Sequence, residues 1–100
     1  MNLGILVNSD LHLEDIIGFT HAASSNGHTV TIFVMDTGTL LLEKKELTGL
    51  CSIKDVEISF CMHSAEITGI KTEGLPENIV KGSQFHNALM NQKADKVIVL

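Results

Sequence analysis

Apolar and polar positions along this chain follow two periods, and the switches between them mark out its elements. Leu3-Gly4-Ile5-Leu6-Val7 is a continuous apolar run, the pattern of a parallel-sheet strand covered on both faces. Asn8-Ser9-Asp10 then supplies turn and helix-capping side chains. Leu13, Ile16, Ile17, Thr20 and Ala23 recur at helical spacing, and Asn26-Gly27 predicts a left-handed stop. Gly18 lies inside that helix and weakens it by about 1 kcal/mol relative to Ala, so packing must hold the helix. Thr29 to Met35 is rich in β-branched residues and reads as a second strand. Leu3 to Met35 therefore forms a minimal βαβ unit, whose crossover is expected to be right-handed.

Beyond the turn Asp36-Thr37-Gly38, Leu40 to Leu47 predicts a second helix, with Lys44 and Lys45 near its C-terminal end and Gly49 after it. Leu40-Leu41-Leu42 is too wide for one buried stripe, so one leucine is expected to face a neighbouring subunit. Leu50 to Asp55 is a connection. Val56 to Phe60 forms the third strand, but it alternates, with Val56, Ile58 and Phe60 on one face and Glu57, Ser59 and Cys61 on the other. The polar face is either partly wet or lines a pocket or an interface. Met62 to Thr68 is a short helix closed by Gly69, and Lys71 to Asn78 is a loop holding the single proline, Pro76. Ile79-Val80 makes a very short strand. Ser83 caps another helix, with Phe85, Leu89 and Ala88 expected inside, and Lys96 to Leu100 is a last strand expected to be fully buried. The sum is βαβαβαβαβ, a small doubly wound α/β domain.

The candidate chemistry centres on Cys61, where a strand ends and a helix begins. A thiol there meets free backbone N–H groups, which favour the nucleophilic thiolate. The competing reading is a small buried apolar residue. Met62 and His63 are its immediate neighbours; a protonated His63 would help hold a thiolate, and otherwise it is an ordinary exposed residue. Ser64 reads as a helix cap. Asn8, Ser9 and Asp36 belong to the same sheet edge, where capping and turn duties account for them. His12 would reach Cys61 if the first and third strands were neighbours. Cys51 would resolve a disulfide or persulfide on Cys61 only if the two sulfurs met, and its place before the third strand puts it near the opposite edge of the sheet.

The absences narrow the function. There is no Walker A motif, no G-x-G-x-x-G and no G-x-S-x-G elbow, so no nucleotide, dinucleotide or other cofactor is expected. The five histidines and two cysteines do not fall into zinc-ligand spacing, and no metal is predicted. A net charge of -5, without Tyr or Trp for base stacking, argues against nucleic acid. The apolar run at the N-terminus has no basic segment before it and is too short to span a membrane, so a cytoplasmic protein is expected, with reduced cysteines. One hundred residues point to one domain, 1–100. With 44% apolar and only 19% charged residues, some of its surface is expected to be covered by another subunit.

Several stretches together resemble the DsrE/DsrF-like family, small sulfur-relay-type α/β proteins. They are Ile5-Leu6-Val7-Asn8-Ser9, Asn26-Gly27-His28-Thr29-Val30-Thr31-Ile32-Phe33, Asp36-Thr37-Gly38, Cys61-Met62-His63-Ser64-Ala65 before Gly69-Ile70, and Ala94-Asp95-Lys96-Val97. The resemblance implies a flavodoxin-like three-layer sandwich with a mostly parallel five-stranded sheet, and a homotrimer or hexamer. It also implies that a cysteine, here Cys61, accepts sulfane sulfur as a persulfide from a donor protein and passes it to an acceptor thiol. The leading expectation is thus a sulfur carrier or sulfurtransferase-like subunit. A non-catalytic oligomeric binding or assembly module with an unreactive cysteine is the alternative, and a redox protein pairing Cys51 with Cys61 is a third reading.

Overall fold

The computed structural model describes all 100 residues. Five strands form one parallel sheet: β1 (Asn2–Val7), β2 (Thr29–Val34), β3 (Val56–Cys61), β4 (Ile79–Gly82) and β5 (Lys96–Val99). Their order is β4-β3-β2-β1-β5. The chain thus steps in one direction through four strands and then crosses back to pair β5 with β1. This is the expected three-layer α/β arrangement. The helix α1 (Leu13–Ser25), the short α2 (Lys45–Thr48) and α3 (Met62–Thr68) pack on one face, and α4 (Gln84–Lys93) lies alone on the other.

The period-two pattern sorts the side chains between two cores. Ile5, Val7, Ile32, Val34, Ile58 and Phe60 point to the three-helix face and meet Ile16, Leu41, Leu42, Leu47 and Ala65 there. The second, smaller core, on the α4 face, is built from Phe33, Cys61 and Met90, with Leu6, Met35 and Val97 against it. α4 crosses the sheet closely because β1 carries no side chain at Gly4. A Cβ there would lie 3.1 Å from Ala94 Cβ and 3.2 Å from Met90 Cγ.

Three expectations change. Residues 40–47 do not form one α-helix: Asp36–Glu43 is a 3-10 helix, α2 is a single turn, and Gly49–Ser52 is 3-10 again. The close spacing of Leu41, Leu42, Leu47 and Leu50, all buried, suits a tightly wound segment wrapping the core better than one straight stripe. Phe85 and Ala88 are exposed on α4, and His86 and Met90 face the sheet instead. The last strand is only half-buried, because β5 is an edge strand beside β1 and the crossing α4 does not shield its C-terminal end, where Val99 is 57% exposed.

α1 ends as its sequence indicates, with Asn26 as C-cap and Gly27 at φ +78°. Gly18 faces open solvent, and nothing lies within 4 Å of a Cβ built on it. Gly18→Ala should therefore stabilise the protein by up to about 1 kcal/mol, read as a higher urea midpoint with an unchanged slope.

Candidate functional site

Cys61 ends β3 and is the N-cap of α3, with extended backbone at φ −80° and ψ 113°. Ser64, expected as the cap, sits three residues further on and is buried. The turn that carries Cys61 is fixed from the side. The Thr39 hydroxyl donates to the Asp36 carbonyl at 2.8 Å and lies 2.7 Å from the Thr68 hydroxyl, tying the 3-10 segment to α3. Both threonines thereby keep their hydroxyls satisfied in a part-buried setting.

Cys61 is buried, 5% exposed as a residue, and packs with Phe33 and Met90. Burial pushes its pKa up. Hydrogen bonds from the Ser64 side chain and backbone, the Gln84 side chain and the His63 backbone act the other way, and they outweigh burial and hold the thiol below its ordinary value. Gln84 is the first residue of α4, which Ser83 caps by accepting the Phe85 N–H at 3.3 Å. The Gln84 amide also approaches Met35 Sδ at 3.7 Å. His86 reaches back over Gly82, the register partner of Cys61, and its Nδ1 accepts the Ser83 N–H at 3.2 Å.

Of the residues singled out in the sequence, Cys61, His63 and Ser64 come together. His63 contributes its backbone N–H, and its side chain is exposed. Met62 turns away to pack against the main core. Asp36 lies at the end of the adjacent strand, exposed, at φ +50°. Asn8, Ser9 and His12 follow β1. Because β2 stands between β1 and β3, His12 does not meet Cys61; it takes the N-cap position of α1 in place of the expected Asn8-Ser9-Asp10, makes no side-chain cap bond, and lies 3.6 Å from Asp15. Cys51 is buried before β3, where its Sγ lies 3.2 Å from Asn78 Oδ1. A six-residue strand separates it from Cys61, about 20 Å at strand rise, far beyond the ~7 Å Cα limit of a disulfide, so the paired-cysteine redox reading fails. Gln84, Phe33, Met90 and His86 were not singled out. They arrive from other elements, and β3's own alternation was the one local sign that its Cys61 face meets something other than an ordinary helix layer.

The arrangement is a parallel α/β sandwich with a cysteine at a strand-to-helix junction, packed against Met90 of the helix on the opposite face. The chain belongs to the DsrE/DsrF-like family, whose model matches residues 1–100. Among solved structures it is similar to the ychN protein from E. coli, at 16% identity and a TM-score of 0.69, covering 99% of this chain and 97% of that one. It is also similar to MTH1491, a protein of unknown function from Methanobacterium thermoautotrophicum, at 15% identity and a TM-score of 0.75, covering 99% and 98%. At these identities the likeness establishes the fold. No curated protein matches the chain. No helix is long and apolar enough to cross a membrane.

Proposed function

We propose that this protein is a sulfur carrier that holds sulfane sulfur on Cys61. The observation that carries the reading is the thiol's hydrogen-bonded setting, which lowers its pKa despite burial. In the reaction the Cys61 thiolate attacks the outer sulfur of a donor persulfide. A new S–S bond forms, the donor's S–S bond breaks, and the inner sulfur leaves as a thiolate. An acceptor thiolate later takes the same outer sulfur and regenerates Cys61. No net oxidation occurs, and no metal or cofactor enters. The exposed Leu11, Phe85 and Val99 support a homo-oligomer, trimer or hexamer, and a monomeric mass by light scattering would count against that part.

The test is alkylation across pH and sulfur loading from a low-molecular-weight persulfide, both read by peptide mass spectrometry. Cys61 should label with a midpoint below that of an ordinary cysteine and gain one sulfur, and Cys61→Ser should gain none while keeping its fold. Because the folded thiol titrates below its unfolded value, it adds stability above that unfolded value and loses it as pH falls through the folded one. The second reading, a binding or assembly module, is favoured by the burial of Cys61. Labelling that waits for unfolding would favour it over the carrier, and loading that survives Cys61→Ser would overturn Cys61 as the sulfur-holding site.

A further inference from the structure

α4 crosses its face of the sheet alone and leaves β2, β3 and β4 open on one side of it. The result is a groove of about 650 Å³. Its floor carries Thr31, Glu57 and Ser59, and Val80 and Leu89 give it an apolar flank. This volume falls within the range of small-molecule sites. It does not include Cys61, though Met90 belongs to both.

The charges in this groove are unusual for a sheet face. Glu57 sits on β3, a strand paired on both sides, and is exposed. Lys93 lines the same groove from the last turn of α4. They do not neutralise each other, since no lysine in the molecule lies within ion-pair distance of a carboxylate and the one close pair is His12 with Asp15. Asp55 adds negative charge at the Glu57 end. His86, also in the lining, is engaged through Nδ1 by the Ser83 N–H, and Lys93 is the groove's one lysine.

We propose that this groove binds a short peptide-like zwitterion, its ammonium at Glu57 and its carboxylate at Lys93. The spacing fits. The Lys93 backbone adjoins Asn2 on β1, where the Asn2 side-chain amide lies 3.5 Å from the Lys93 carbonyl. From β1 to β3 is two strand spacings, about 10 Å, and Glu57 stands two residues, about 7 Å, further along the strands than Asn2, about 12 Å in all. An extended tripeptide spans about 10 Å, and the long Lys93 and Glu57 side chains close the remainder. Between the two charges, the Thr31 hydroxyl on β2 offers a hydrogen bond to a peptide amide, and Ser59, Val80 and Leu89 line the groove beside them. The proposal stands independently of any sulfur chemistry at Cys61.

The experiment is an amide NMR titration of the intact protein with triglycine, N-acetyl-triglycine and triglycine amide. Triglycine should give saturable shifts at Thr31, Glu57 and Ser59. Blocking either terminus, or substituting Glu57→Gln or Lys93→Gln, should weaken binding at least about tenfold. Both substitutions are on exposed side chains, and an unchanged reference spectrum confirms that the fold persists. Absence of saturable shifts, equal binding of the blocked peptides, or wild-type affinity in both variants would overturn it.

Discussion

Replacing Gly38 by alanine is expected to cost at least about 3 kcal/mol, a fall of roughly 12–24 °C in melting temperature for a domain of this size. Gly38 has no space for a Cβ. An added methyl would lie 2.6 Å from the Val7 carbonyl oxygen and 2.9 Å from Val7 Cγ1. The obstacle is backbone, and it is backbone already in use, because the same carbonyl accepts the Met35 N–H at 2.8 Å. Relief therefore requires β1 and the 3-10 segment to part, which disturbs the Thr39–Thr68 contact that holds α3. A thermal melt of Gly38→Ala within a degree or two of wild type would show that the segment adapts freely.

The second large effect is expected at Phe33. This ring is fully buried and forms, with Met90, the shell around the Cys61 thiol. Phe33→Ala should destabilise by about 3–5 kcal/mol, because the smaller core on the α4 face has few other large side chains to close the cavity. It should also expose the thiol. Alkylation of Cys61 in the native protein is expected to speed up while Cys51, on the other core, keeps its wild-type rate. Measuring both rates in one digest separates local exposure from general loosening. If the two cysteines accelerate together, the variant has merely lost stability; an unchanged Cys61 rate would mean that Phe33 does not shield it.

The parts of this molecule that were legible in its sequence are those written in local periods. The alternation of β3, the Asn26-Gly27 stop, the Ser83 cap and the Cys61 junction all depend on neighbours a few positions away. Strand order is not written locally. Four apolar residues in a row, Val97 to Leu100, read the same at the centre or the edge of a sheet, and only the return crossing to β1 decides between them. The same missing information separates His12 from Cys61. Residues 36–52 escaped for a different reason: consecutive leucines blur the helical period, and the tight approach of Gly38 to Val7 forces a 3-10 path that composition does not announce. At the site, Cys61 was visible, but Gln84, Met90 and His86 depend on how α4 crosses the opposite face.

The return of the chain from β4 to β5 also sets an order of events in folding. β1 to β4 pair between sequence neighbours, so each step closes a modest loop. The β1–β5 pairing joins positions 93 apart, as in the Asn2 N–H donated to the Asp95 carboxylate at 2.6 Å, and it carries the largest closure entropy in the sheet. Until it forms, β1 is an uncovered edge whose apolar Leu3–Val7 run is open to pairing with another chain. β5 is therefore the element that protects a half-built sheet from aggregation, and weakening its docking should show first as insoluble protein during synthesis, before any loss in the folded state.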